Sequence, residues 1–263
     1  MQTELRSAIQ AEEFCLHYQP VVSLAQNRIV GLEALIRWRH PRFGLIAPEQ
    51  FIQLAEDTGL IVEIGAWVFA EAGRQMRAWR DGGIAPEYIA VNLSAIQFRH
   101  HGVMELLGGL VRDGSLEPEI IELEVTETAL MSQSEESLAH LRQLKQLGFR
   151  LSIDDFGTGY SSMAYLKHFP VDTLKVDASF IADVGLDHAS DAIVKGMIDL
   201  AHNLGLTTVA EGVETQGQYE RLRAMGCQRG QGHLFAEASD AERMGAKLAT
   251  NPQVSLLKLM CFS

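Results

Sequence analysis

Short runs of continuous or alternating apolar residues recur along the chain. Most are followed by a longer stretch in which apolar positions return every three or four residues. The short runs are LHYQPVVSL (16–24), RIVGLEALIRW (28–38), YIAVNLS (88–94), IIELEVTE (120–127), RLSIDDF (150–156), DTLKVD (172–177), TTVAEGV (207–213) and a weaker GCQRGQGHLF (226–235). Bounded runs of this length predict strands. Helical spacing follows in 48–59, 62–80, 136–148, 190–205, 215–226 and 240–249, with Gly148, Gly205 and Gly226 placed to close three of these helices. About seven or eight strand–helix alternations in 263 residues predict an α/β fold of the (β/α)8 type. Only Ala25, Gln26 and Asn27 separate the first two runs. A parallel crossover needs about a dozen residues, so these two strands must form an antiparallel hairpin. The expected fold is a modified TIM-type (β/α)8 barrel with an antiparallel first strand. No Pro/Gly/Ser-rich linker or low-complexity tract divides 1–263, so a single domain is expected.

Polar residues inside these strands alter the picture. Glu33, Asn92, Glu122, Glu124, Glu127, Asp154, Asp155, Lys175, Asp177, Glu211, Glu214 and Gln231 interrupt otherwise apolar runs. In a barrel, the C-terminal strand ends and their loops build the active site. Any one acid there is more often a cap or a rim charge. Recurrence on separate strands favours a metal site, because bare carboxylates converging from several strands repel one another. Oxygen-only donors select Mg²⁺ or Mn²⁺. The adjacent Asp154 and Asp155 suit a binuclear centre, with one carboxylate bridging. Lys175 has two readings, a side chain reaching the rim or a group that orients and helps deprotonate a water. DFGTGYSS (155–162) lacks the ending of a phosphate-binding P-loop and reads as a lid.

Composition narrows the partners. Acids outnumber bases 34 to 22, a net charge of −12, which argues against broad binding to DNA, RNA or anionic membrane. An anionic ligand would then be held by bound cations rather than by the overall field. Cys15, Cys227 and Cys261 are odd in number and far apart, which fits a reducing compartment. The N-terminus lacks an apolar signal core, and no apolar stretch approaches the roughly 18 residues of a membrane span. A soluble, cytoplasmic chain is expected.

The motifs LEALIRW, VNLS, ELEVTE, IDDFGTGYSS, LKVD, AEGVE and GCxxxQGxLF, in this order over about residues 5–236, resemble those of the EAL-domain cyclic di-GMP phosphodiesterases. Glu33-Ala34-Leu35 matches the signature tripeptide. The resemblance implies hydrolysis of cyclic di-GMP to linear 5′-pGpG with two Mg²⁺ or Mn²⁺ ions. Ca²⁺, whose coordination is looser and longer, is expected to inhibit. By this resemblance Glu33, Asn92, Glu124 and Asp154 would hold one metal, and Asp154 with Asp155 the second, with Glu211 nearby. Lys175 would activate the water and Gln231 help to hold it. Glu127 and Glu214 would brace the 155–162 loop, with Glu214 also at the substrate. Gln19, Leu35 and Arg37 would contact substrate, and Phe235 is either a guanine-stacking surface or a core aromatic.

A homodimer is also implied, as are fused or separate sensory or GGDEF domains, and 237–263 would form a terminal helix and tail. Four positions depart from the family pattern, Ala178, Gln228, Glu237 and Ala238, and all four are expected at the substrate rim. A catalytically silent receptor or an interaction module is the alternative. Silent receptors typically lose a metal ligand, the lysine or the loop motif, and none is lost here.

Overall fold

A computed structural model describes residues 2–99, 101–131, 134–159 and 166–250. The tail at 251–263, with Cys261, and residues 160–162 of the expected lid lie outside the described residues.

Ten strands are described: β1 (Phe14–Ser23), β2 (Arg28–His40), β3 (Gly44–Ile46), β4 (Tyr88–Asn92), β5 (Ile121–Thr126), β6 (Arg150–Phe156), β7 (Thr173–Val176), β8 (Thr207–Ala210), β9 (Arg229–Gly230) and β10 (Ser239–Asp240). Eight close on themselves in the order β1-β9-β8-β7-β6-β5-β4-β2, with β1 pairing β2 to complete the ring. β1 runs antiparallel to both barrel neighbours, β2 and β9, and the remaining barrel pairs are parallel. This is the barrel with an antiparallel first strand that the three-residue connection requires. The sequence pattern does not foretell that β2 continues past the barrel into a hairpin with β3.

Eleven α-helices are described: α1 (Gln2–Gln10), α2 (Ile52–Thr58), α3 (Ile61–Asp81), α4 (Ala95–Arg99), α5 (His101–Arg112), α6 (Glu127–Met131), α7 (Ser134–Leu147), α8 (Ala178–Ile181), α9 (His188–Asn203), α10 (Gln216–Ala224) and α11 (Ala241–Thr250). Helix α5 is absent from the sequence pattern above although Val103, Leu106, Leu107, Leu110 and Val111 recur at helical spacing, because the Gly108-Gly109 pair at its centre reads as a breaker. Strand residues Leu32, Val91, Leu123, Ile153, Leu174 and Val176 share one buried cluster with helix residues Phe69, Leu107, Leu144, Ile198 and Leu222. The barrel's outer face therefore carries the apolar core. Much of its interior is left to polar side chains, which is why strands alternating Leu or Val with Glu, Lys or Thr are stable here.

Candidate active site

The bases of the site are β5 and β7. Successive strand residues face opposite ways, so Leu123 and Leu174 join the outer core while Glu124 and Lys175 point inward. Lys175 is 2% exposed, and its Nζ lies 3.0 Å from Glu124 Oε1, 3.0 Å from Asp154 Oδ1 and 2.8 Å from Glu211 Oε1. On the far side Glu33 accepts from Asn92 Nδ2 at 2.7 Å and from Gln231 Nε2 at 2.5 Å. Gln231 Nε2 also donates to Gln19 Oε1 at 3.0 Å, and Gln19 Nε2 donates to the Ala236 carbonyl at 3.3 Å. Residues from β1, β2, β4, β5, β6, β7 and the ends of β8 and β9 thus meet in one network.

Asp154 and Asp155 pose a geometric problem, since neighbours on a regular strand cannot face the same space. A register irregularity between Ile153 and Phe156 in the β6–β7 ladder solves it. Asp155 takes a left-handed conformation, φ 53°, and its N–H donates to Asp154 Oδ1 at 3.0 Å. A non-glycine residue in that region costs on the order of 1–3 kcal/mol, and an irregular strand end re-aims a side chain. Carboxylate oxygens of Asp154, Asp155 and Glu211 can thereby lie within 4.8 Å of one another.

The electrostatics are lopsided. Burial pushes the Glu124 carboxyl well above its usual range, and repulsion from Glu33, Asp154 and Glu211 adds to this against the pull of Lys175. Burial also raises Glu211, to about 8, despite the lysine beside it. Asp155 is raised by burial and by Asp154. Burial alone would lower Lys175, but Glu124, Glu211, Glu33 and Asp154 outweigh it and hold the ammonium well above its ordinary value. Two buried oxygens in the network, Glu124 Oε2 and Gln231 Oε1, have no hydrogen-bond partner among the described residues. An all-oxygen donor set, an excess of carboxylates and an orphaned buried carboxylate oxygen fit hard divalent cations.

Around this network, Glu127 is fully buried at the start of α6, and its Oε2 accepts the Gly157 N–H at 2.8 Å. Gly157 has φ 103°, and a Cβ there would lie 2.6 Å from the Phe180 ring, so the turn after the aspartates needs glycine. Glu214 is exposed, with its carboxylate 4.0 Å from His233 Nδ1. An open cleft of about 280 Å³ is lined by Gln19, Glu33, Leu35, Glu211, Glu214 and Gln231 among others. Ala178 and His233 also line it. A larger, mainly apolar cavity of about 480 Å³ shares Leu35 with this cleft and reaches Asn92. His233 carries no signal in the sequence, because it fills the variable position of the GxLF pattern.

Other expected contacts are not among the residues lining this cleft. Arg37 is half-buried, its Nη1 donating to the Ile36 carbonyl at 2.8 Å. Phe235 packs edge-on to Tyr219 with centroids 6.2 Å apart and beside Gly230, in the manner of a core aromatic. Gln228 is not at the rim. Its Oε1 accepts from the Thr208 N–H at 2.7 Å and hydroxyl at 2.6 Å, near the start of β8. Glu122, two residues before Glu124, likewise lies away from the carboxylate cluster, accepting from Thr173 Oγ1 at 3.0 Å.

Residues 2–238 match the EAL domain family. The chain is 48% identical over 246 residues to the bifunctional diguanylate cyclase/cyclic di-GMP phosphodiesterase MucR of Pseudomonas aeruginosa, covering 94% of this chain and 36% of MucR. It is 42% identical over 236 residues to the cyclic di-GMP phosphodiesterase NbdA of the same organism, covering 90% of this chain and 30% of NbdA. The chain thus spans about a third of the length of these two relatives. The PaMucR phosphodiesterase in its c-di-GMP complex superposes with a TM-score of 0.87 at 48% identity, covering 92% of this chain and 98% of that one.

Proposed function

The chain belongs to the EAL domain family, and on that premise we propose that it is a metal-dependent phosphodiesterase hydrolysing cyclic di-GMP to linear 5′-pGpG. The observation that carries this reading is the buried Lys175 held by three carboxylates, beside aspartates brought side by side by an irregular strand end. Glu33, Asn92, Glu124 and Asp154 would hold one Mg²⁺ or Mn²⁺, and Asp154 with Asp155 the second, with Glu211 alongside. Glu124 spends Oε1 on Lys175 and keeps Oε2 free as a donor. Two such cations supply Lewis acidity, lowering the pKa of a water and drawing charge from the phosphoryl oxygens.

The chain's own groups do the rest. Lys175, charged and fixed at three points, orients the attacking water by its field. Glu211, whose Oε1 lies 2.8 Å from Lys175 Nζ, is the adjacent carboxylate that would take the proton of that water. Gln231 positions that water through its unpaired Oε1 while its amide nitrogen is committed to Gln19 and Glu33. Leu35 and Glu214 line the cleft that would take substrate, and Arg37 offers a forked donor to phosphate. Homodimerisation, a cytoplasmic location and operation beside sensory or GGDEF domains belong to the same proposal. Among the described residues no helix is long and apolar enough to cross a membrane.

The test is incubation of purified protein with cyclic di-GMP and Mg²⁺ or Mn²⁺, with products resolved by chromatography. Linear pGpG is expected, with loss of turnover in EDTA and inhibition by Ca²⁺. Undiminished turnover in EDTA would overturn the mechanism.

A further inference from the structure

The other end of the barrel holds a second polar network that the reaction does not touch. Tyr88, buried at the start of β4, is approached by two guanidinium groups, Arg150 Cζ at 4.9 Å and Arg229 Cζ at 5.1 Å from its ring centroid. Arg229 Nη1 also donates to the Tyr88 hydroxyl at 3.1 Å. Arg150 Nε lies 3.6 Å from Glu122 Oε2, which accepts from Thr173 Oγ1 at 3.0 Å. The Tyr88 ring covers Gly31 so closely that a Cβ there would sit 2.3 Å from it.

These residues come from the strands that carry the site. Glu122 and Glu124 share β5, Thr173 and Lys175 share β7, and Tyr88 and Asn92 share β4. Arg150 and Asp154 share β6, Gly31 and Glu33 share β2, and Arg229 starts β9 just before Gln231. Each pair is separated by two or four residues, an even number, so both members face the interior. At about 3.3 Å per residue the two networks are roughly 7–13 Å apart along each strand.

We infer that the Tyr88–Arg150–Arg229–Glu122–Thr173 network is a positioning device. It fixes the relative heights of five strands, and of β2 through the Tyr88 ring on Gly31, and through them the spacing of the metal ligands above. Buried polar and ionic networks give less stability than apolar packing of equal volume, and their best-attested use is to specify register. A shift of one strand past its neighbour could leave the apolar outer face packed. It would break a hydrogen bond or a stacked guanidinium here and move a carboxylate at the other end. The inference rests on the upper cluster being a metal site.

The test measures Mn²⁺ binding to the full chain without nucleotide, by calorimetry, for wild type, Glu122→Gln and Thr173→Val. Wild-type binding checks the reading of the upper cluster by itself, and the ratio of variant to wild type checks the network. Leu144→Ala, on the outer face of the core, serves as a variant destabilised from elsewhere. Mn²⁺ affinity is expected to fall about threefold to tenfold in the network variants, the range for coupling through packed side chains. It should hold in Leu144→Ala despite a lower Tm. If Glu122→Gln fails to fold, Thr173→Val, which loses only one hydroxyl, decides the matter. Affinity within twofold of wild type in the folded network variants, or an equal loss in Leu144→Ala, would reduce the network to a plug and overturn the inference.

Discussion

The two ends of this barrel are built from similar groups in opposite proportion. At the C-terminal end five carboxylates, Glu33, Glu124, Asp154, Asp155 and Glu211, meet a single base, Lys175. At the N-terminal end two guanidinium groups, Arg150 and Arg229, meet a single carboxylate, Glu122, and an aromatic ring. The lower network's named polar groups find partners in the chain itself. The upper one leaves Glu124 Oε2 and Gln231 Oε1 buried without partners among the described residues, and its surplus negative charge calls for cations. Glu122 and Glu124 sit two residues apart on one strand, 1% and 3% exposed. What separates their roles is the sign and number of neighbouring charges, not burial or residue type.

Lys175→Ala should break the upper end most severely. Turnover is expected to fall by about 10²–10⁴, the usual contribution of a positioned proton-transfer or orienting group. Nucleotide binding should persist, and steady-state rates with equilibrium dialysis would measure both. Tyr88→Phe, which removes the hydroxyl that accepts from Arg229 at the lower end, should leave nucleotide-saturated turnover within a few-fold. Wild-type turnover in Lys175→Ala would show that the lysine only balances charge.

Glu127→Ala sharpens the contrast from the loop side. Removing a fully buried carboxylate that holds Gly157 N–H loosens the turn carrying Asp155. The Mg²⁺ concentration for half-maximal activity should rise about tenfold, as for partners that orient a ligand. Glu127→Gln, which keeps an acceptor, should recover most of the loss. A well-folded Glu127→Ala with an unchanged Mg²⁺ titration would sink this role.

The barrel and its closing hairpin were legible because period-two runs and a three-residue connection leave few topologies open. So were the carboxylates, since acids inside apolar strands are conspicuous. Besides the β2–β3 hairpin, helix α5 and His233, three things were not. The irregular end of β6 that aims Asp154 and Asp155 together has no pattern in IDDFG beyond a turn signal. Glu122 reads like its neighbour Glu124 until pairing shows which bases surround it. Gln228 meets Thr208 because it immediately precedes β9 and so lies at the N-terminal end of that strand, a start that only tertiary pairing defines.

The smallest expected effect is a pH slope in stability, and it separates the two ends in metal-free protein. Burial raises Glu211 to about 8, so folding favours its protonated form. A carboxyl raised on folding contributes stability that is complete below its unfolded value, near 4.3. That contribution is lost as pH climbs through the folded value. Glu211 should therefore lower Tm progressively between about pH 5 and pH 8, and a cation that favours the ionised form should cancel the trend. The lowered acids Asp113, Asp187, Asp191 and Asp240 act in the opposite sense and only in more acidic solution. His17, held down by burial, opposes the slope near and below its ordinary value, so the variant comparison carries the argument. Thermal melts at pH 5, 6, 7 and 8 should show a steeper decline for wild type in EDTA than for Glu211→Gln, with the difference abolished by Mg²⁺. Parallel pH curves for the two proteins in EDTA would mean that Glu211 is ionised throughout, and that another carboxylate carries the proton.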